Sequence, residues 1–171
     1  LMYVVESGPY EMMAFLVNSG ADVNAVDKSG KAPISIAKDF KTVQFLLDHG
    51  AKVTDRPVYD ERDPQTLDLL LAKGADLNQR DGEGSTALIK VIKVAAASSG
   101  VPELVNVLLT RKANVNIRNW QFESPISIAI KNANEDVIAV LISAGADLRY
   151  VYPDGQNEIM RALSVDFPNL R

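Results

Sequence analysis

A four-residue motif recurs five times along this chain, each time at the end of an apolar stretch. It consists of an alanine, a polar residue, an aliphatic residue and a second polar residue. The copies begin at Ala21, Ala51, Ala75, Ala113 and Ala146, so the alanines are separated by 30, 24, 38 and 33 residues. Self-similarity at a period of roughly 33 residues indicates a repeat array, whose units bury their apolar faces only by stacking. The function of such a chain is expected on an extended surface rather than in a pocket.

Composition excludes several classes of function. Of the 171 residues, 47% are hydrophobic, which is enough for a sizeable core. The net charge is −4 and the lysines and arginines are dispersed, so we expect no binding of nucleic acid, which requires a basic stripe. The chain has no cysteine and one histidine, so disulfides, thiolate or multi-histidine metal sites and a cysteine nucleophile are excluded. No apolar run reaches the length of a membrane span, and we expect no cofactor.

The unit from residue 116 to 147 shows the expected local structure most clearly. Ser124 suits the N-cap of a first helix, and Pro125 suits its first position, where a missing N–H costs nothing. Apolar residues then follow at helical spacing: Ile126, Ala129 and Ile130. A second apolar helix follows and is predicted to stop at Gly145, since glycine readily adopts the left-handed conformation that closes a helix.

These units resemble the ankyrin repeat, whose hallmark is Gly-x-Thr-Pro-Leu-His-x-Ala, a leucine-rich second helix, and then Gly-Ala-Asp-Val-Asn. The segments that carry the resemblance begin at Gly20, Gly30, Gly74, Gly84 and Gly145. They are in register over nearly all of the chain. The irregular repeats and the replacements described next are similar to those of bacterial ankyrin proteins.

Three kinds of departure from the family pattern are informative. Ser35, Ile89 and Ser127 replace a histidine that in the family hydrogen-bonds neighbouring units, and we expect the serines to do part of that work. The second unit is three residues short near Asp39 and Phe40. The third lacks nine residues, and its segment 56–64 contains two prolines, so no full first helix is expected there. The fourth has five extra residues, which we expect to lengthen its first helix within residues 94–100.

The resemblance implies one domain over residues 1–171, an all-α ankyrin-repeat solenoid of helix-turn-helix units joined by β-hairpin-like loops. About six repeats are expected: 1–24 (partial), 25–54, 55–78 (short and irregular), 79–116 (with an insertion), 117–149 and 150–171 (partial cap). The last of these is expected to contain a helix over residues 158–164. The gap around residues 57–64 is expected to bend the array or to form a notch. The first helix lacks a polar outer face, and we expect further repeats or another segment before Leu1.

No residue pattern predicts an enzyme. His49 lies at the end of a predicted helix, where it suits the helix dipole, and no serine has a triad partner. The acidic segment 60–63 is interpreted as a solvated loop rather than a metal site, and residues 81–84 as a hairpin tip rather than a calcium loop. Asn24, Asn78 and Asn116 occupy positions that are hydroxylated in some ankyrin proteins, although bonding to nearby turn backbone explains them more simply.

Candidate binding residues follow from the family's use of its hairpin tips and concave first-helix face. Trp120 aligns with Lys28 at a hairpin tip, and Phe122 takes the place of Gly30. Exposed aromatic residues on rigid turns are enriched at binding hot spots, although the rings of Trp120, Phe122, Tyr150 and Tyr152 could instead cover a neighbouring hairpin or an end of the stack. The candidate set is Lys28, Ser29, Lys31, Asp39, Phe40, Glu83, Ser85, Lys93, Trp120, Gln121, Glu123, Lys131, Asn132, Asp154 and Gln156.

The resemblance therefore predicts a non-enzymatic module that binds a partner protein or peptide, as a monomer in the cytoplasm. Two alternatives stay open. The array could be a targeting or autoinhibitory segment of a larger protein, or a self-associating structural module.

Overall fold

Helices make up nearly all of the regular structure. The computed structural model describes residues 1–94 and 102–160. The helices are α1 (Met2–Ser7), α2 (Tyr10–Asn18), α3 (Pro33–Ile36), α4 (Phe40–Asp48), α5 (Pro64–Ala72), α6 (Ala87–Val94), α7 (Glu103–Thr110), α8 (Pro125–Lys131) and α9 (Glu135–Ser143). Among these residues, β pairing is limited to an isolated antiparallel bridge between Val151 and Asn157. The predicted all-α class is confirmed.

The chain divides into two compact units, Leu1–Asp76 and Leu77–Arg171. In the first, α1 packs on α2 and α3, and α4 packs on α3 and α5. Its most deeply buried side chains are Ile34, Val43, Leu46 and Leu70. In the described part of the second, α6 packs on α7 and α8, and α8 packs on α9. Each first helix therefore contacts both its own second helix and the neighbouring first helix.

Side-chain caps fix where several helices begin. The Ser124 hydroxyl accepts from the Ser127 N–H at 3.2 Å, and Ser127 Oγ accepts from the Ser124 N–H at 2.8 Å, which completes a capping box around Pro125. The predicted N-cap is thus confirmed. The predicted stop is also confirmed, because α9 ends at Ser143 and Gly145 has a φ of +88°.

The serines that replace the family's histidine bond within their own turn, and Ser127 also hydrogen-bonds the Tyr152 side chain of the next unit, as expected of a residue that does part of the histidine's work. Ser35 Oγ donates to the carbonyl of Ala32 at 2.7 Å, and Ser127 Oγ donates to that of Ser124 at 2.9 Å. Both bonds stay inside the first turn of the serine's own helix, because the short hydroxyl reaches a local carbonyl first. Ile89 is fully buried and packs as part of the apolar core.

The proline-containing segment forms no full first helix, as predicted. It forms a 3₁₀ turn, Val58–Asp60, after another at Val53–Asp55, and packs on α3 through Arg56. Nη1 of Arg56 donates to the carbonyls of Ile34 and Ala37, at 3.0 and 2.8 Å, at the end of the four-residue helix α3. Nη2 pairs with Oε2 of Glu61 at 2.6 Å. A single guanidinium thus satisfies carbonyl groups that a short helix leaves without partners.

Two sequence predictions fall partly outside the described residues. The longer first helix expected over residues 94–100 is described only to Val94, and the last helix expected over residues 158–164 is described only over residues 158–160, which are helical. The division into six repeats stays a prediction.

Replacing Arg56 by Met should destabilise the first unit by roughly 3–5 kcal/mol, since it leaves the buried Glu61 carboxylate without its cation. The matched control is Lys73→Met, which removes an exposed pair with Asp48 and should cost under about 1 kcal/mol. Urea unfolding followed by circular dichroism measures both. Equal effects of the two substitutions would show that the Arg56–Glu61 pair has no special structural role.

Candidate partner-binding surface

Four hairpin tips share one backbone arrangement. In each, the N–H of the first residue donates to the carbonyl of the fifth. These pairs are Asp27 and Lys31 (3.0 Å), Asp81 and Ser85 (3.0 Å), Asn119 and Glu123 (2.9 Å), and Tyr152 and Gln156 (2.8 Å). The tips therefore present comparable positions to solvent although their sequences differ.

A side chain at the first position stabilises three of these tips. Oδ1 of Asp27, Asp81 or Asn119 accepts from the N–H groups of the third and fifth residues, at 2.8–3.0 Å. The hydrogen bond from the Ser29 hydroxyl, and then that from the Lys31 N–H, lowers the pKa of Asp27 below its usual 3.8. Our sequence reasoning missed this role. The Asp or Asn at the start of each of these three tips could have indicated it, since both residues are typical of turns that they stabilise through their side chains.

Phe122 adopts a backbone conformation that the other tips give to glycine. Its φ is +62°, and the corresponding residues Gly30, Gly84 and Gly155 have φ values of +78°, +76° and +80°. The predicted equivalence of Phe122 and Gly30 is confirmed. A non-glycine residue in this region costs on the order of 1–3 kcal/mol. The side chain is 51% exposed, so its burial offsets only part of that cost.

Trp120 covers the neighbouring hairpin and also faces solvent. Its N–H donates to the carbonyl of Glu83 at 3.0 Å, and the Arg80 guanidinium lies 5.0 Å from its ring centroid. The ring lies so close to Gly84 that a Cβ there would be 2.6 Å from it. The residue remains 60% exposed. Both interpretations of this side chain therefore hold at once: it is fixed against its neighbour and still presents aromatic surface.

Charged side chains link this tip to the first helices. Glu123 pairs with Lys93 of α6 at 3.2 Å and with Lys131 of α8 at 3.7 Å, and Lys93 also reaches Glu83 at 3.8 Å. Burial raises the pKa of Glu123, but the hydrogen bond from Asn119 and the two lysine charges outweigh it, so the pKa lies below its usual 4.5. Four candidate residues are thus connected in one network.

A buried cluster fastens the last hairpin. Glu158 is 0% exposed, and its carboxylate accepts from Arg118 Nη2 at 2.9 Å, from the Tyr152 hydroxyl at 2.8 Å and from Ser124 Oγ at 3.2 Å. Burial, and then the neighbouring carboxylate, raises the pKa of Tyr152 above its usual value of 10. The Tyr150 ring packs on the Arg118 guanidinium, which lies 3.5 Å from the ring centroid, so both tyrosines stabilise the hairpin. Nothing in the sequence indicated the roles of Arg118 and Glu158.

We expected the motif asparagines to bond to the backbone of their own turn. Their side chains instead bond between hairpins. Asn24 Nδ2 donates to the Gly50 carbonyl at 3.0 Å, and Asn24 Oδ1 accepts from the Lys52 N–H at 3.0 Å. Asn116 makes the same pair with Gly145 and Asp147, at 3.1 and 2.8 Å. Each side-chain amide therefore joins two successive repeats.

The candidate residues differ in exposure. In the first unit, Lys28, Ser29, Lys31 and Asp39 are exposed and Phe40 is half-buried; in the second, Glu83, Trp120, Gln121, Lys131, Asp154 and Gln156 are exposed and Lys93, Glu123 and Asn132 are half-buried. Asp39 caps α4 by accepting from the Thr42 N–H at 2.9 Å, and Asn132 Nδ2 donates to the Ile92 carbonyl at 3.3 Å. Ser85 is only 1% exposed, because the chain turns inward there toward α6, so its expected exposure was wrong.

The acidic segment is not the solvated loop that we expected. Glu61 is buried against Arg56, and Asp63 caps α5 by accepting from the Thr66 N–H at 2.9 Å. Within residues 1–94 and 102–160, no group of His, Asp and Glu side chains could hold a metal ion. His49 ends α4, with Nδ1 2.8 Å from the Phe45 carbonyl and its ring stacked on Phe45. None of the helices in these ranges has the length and apolar character that a membrane span requires.

Comparison with known families identifies the fold. The family model for ankyrin repeats (3 copies) matches residues 58–151, more than half of the chain, and that for a single ankyrin repeat matches residues 1–28. The chain belongs to the ankyrin-repeat family. Ankyrin repeats are generally protein-interaction modules without catalytic machinery, which supports a binding function and an all-α solenoid.

Similar proteins and structures agree with this assignment. The chain is 28% identical over 171 residues to the ankyrin repeat protein FPV031 of fowlpox virus. This alignment covers 88% of the present chain and 48% of the viral protein. It thus spans about half the length of that relative. An ankyrin repeat domain from Acinetobacter baumannii AYE superposes with a TM-score of 0.79 at 20% identity, over 98% of this chain and 91% of the other. The ankyrin repeat domain of Bcl-3 superposes with a TM-score of 0.72 at 24% identity, over 88% of this chain and 72% of the other.

Substituting Gly84 by Ala should displace the Trp120 ring, because the new Cβ would clash with it and because φ at Gly84 is +76°. We expect a loss of about 1–3 kcal/mol in stability and a shift in the emission of Trp120, the single tryptophan of the chain. Gly30→Ala is the matched control, with a similar φ of +78° but no atom within 4 Å of the added Cβ. Identical emission spectra for the two variants would contradict the described ring position.

The lowered pKa of Glu123 predicts a pH-dependent contribution to stability. This contribution is fully present above the unfolded-state pKa and is lost as the pH falls through the lower folded-state pKa. Glu123→Gln should therefore destabilise the protein by under about 1 kcal/mol near neutral pH and by progressively less in acid. Urea unfolding of both proteins across this range measures the difference. If the difference in unfolding free energy between the two proteins does not decrease in acid, the lowered pKa of Glu123 is contradicted.

Proposed function

We propose that this ankyrin-repeat chain binds a partner protein through the tip at residues 119–123 together with the charged face of α6 and α8. The single observation that carries the proposal is Trp120, an aromatic ring held rigidly against the next hairpin and still 60% exposed. Large aromatic residues contribute strongly to binding where they are fixed before a partner arrives.

The charges around the tip support the same surface. Lys93, Glu123 and Lys131 come from a hairpin and from two first helices, and their ion pairs hold these elements together. Such a ring of partly exposed charge around an aromatic centre is the usual composition of an interface rim. Binding at this surface requires no rearrangement of the backbone, so association costs little ordering entropy.

As part of the same proposal, the chain acts as a monomer in the cytoplasm. A chain without cysteine needs no oxidising compartment, which supports this location. The candidate tips at residues 28–31 and 154–156 contribute secondary polar contacts at most, since their exposed residues are polar and carry no aromatic anchor.

Site-specific photocrosslinking tests the proposal. Gln121, which lies between the two exposed aromatic residues, is replaced by p-benzoylphenylalanine, and the protein is irradiated in a lysate of its source cells. The control carries the same residue at Asn106, an exposed position on the second helix α7. We expect a discrete adduct from position 121 that Trp120→Ala weakens about tenfold or more, and none from position 106. Adducts formed only from position 106 would place the binding surface elsewhere.

A further inference from the structure

The tip at residues 119–123 combines strain with exposure in a way that the other tips do not. At the position of Gly30, Gly84 and Gly155, this tip carries Phe122 with a φ of +62°. A residue held in a sparsely populated conformation is a reason to look for function. Packing accounts for only part of the ring, because half of Phe122 is exposed.

The backbone beneath the aromatic residues is rigid. Asn119 is buried, and its Oδ1 accepts from the N–H groups of Gln121 and Glu123 at 3.0 and 2.8 Å. Nη1 of Arg118 donates to the Phe122 carbonyl at 3.0 Å, and the Trp120 N–H donates to the Glu83 carbonyl. Both residues are therefore presented on a fixed backbone, and the Trp120 ring, held against Gly84, loses little freedom on binding.

The shape and the charge of the tip indicate what kind of surface it fits. Residues 120–122 are all exposed, so they protrude and offer no recess for a peptide side chain. The charges at both ends of the tip are already paired within the chain, Glu123 with Lys93 and Arg118 with Glu158. The Arg80 guanidinium beside Trp120 is held over its ring and donates to the Arg118 carbonyl. The exposed apex therefore presents mainly apolar rings, and its complement is an apolar concavity.

We propose that Trp120 and Phe122 form an aromatic anchor that inserts into a preformed apolar cleft on a folded partner protein. The partner, rather than this chain, supplies the concave surface. This inference rests on the proposed function and deepens it, because it decides between a folded protein and an extended peptide as the partner.

The test separates strain from recognition. Phe122→Gly relieves the strained φ and removes the ring, so its melting temperature should equal or exceed that of the parent while the yield of the position-121 photoadduct falls about tenfold or more. Ala133→Gly is the matched control, since Ala133 has a φ of +51° in the α8–α9 turn and is not part of the tip. It should also keep or gain stability, and its photoadduct yield should be unchanged.

Competition identifies the class of partner. Tryptic and Glu-C digests of the same lysate, in excess, supply linear peptides without folded clefts and should leave the photoadduct unchanged. Salt near 1 M, where the Debye length is about 3 Å, should also leave it unchanged. Suppression of the adduct by the digests, its loss in salt, or full yield from Phe122→Gly would overturn the aromatic-cleft proposal and leave the binding surface intact. A lack of any tip-dependent adduct would overturn the proposed function itself.

Discussion

The burial of first helices against each other is the constraint on which the rest of each unit depends. Ile34 of α3 and Ile126 of α8 are completely buried, and burial of such a side chain stabilises the fold by about 1.5–3 kcal/mol. Neither helix is long enough to be stable alone, since α3 has four residues and α8 has seven. Helices this short persist because neighbouring repeats cover them, and the Asn24 and Asn116 amides keep successive hairpins in register with that packing.

Buried ion pairs allow the repeat pattern to be broken without loss of packing. Arg56 and Glu61 occupy the place of a missing first helix, and Arg118 and Glu158 fasten the last described hairpin. In both cases the arginine also donates to main-chain carbonyls, and the carboxylate has further donors. Satisfying every polar atom matters because an incomplete buried pair is more harmful than an apolar replacement.

The sequence predicts those features that depend on local chemistry. Ser124, Pro125 and Gly145 bound their helices as expected, because capping and left-handed closure depend on residues close in the chain. The motif spacing likewise predicts the stacked helical class. Partners far apart in sequence were not predictable: Arg118 and Glu158 are 40 residues apart, and neither lies in a recognisable pattern. Glu61 was misassigned to solvent although Arg56 lies only five residues before it, because Arg56 is itself held by the carbonyls of Ile34 and Ala37, 22 and 19 residues earlier. The local inward turn at Ser85 was also missed.

The separation between hairpin framework and hairpin apex has a consequence for diversification. In three tips an Asp or Asn at the first position holds the backbone, while the apex residue at the third position (Ser29, Glu83 or Gln121) is exposed. Apex residues can therefore be exchanged between repeats while the Asp or Asn at the first position is kept. A chain of this kind can acquire new binding specificities through substitutions at the hairpin apices, with little effect on the stability of the repeats.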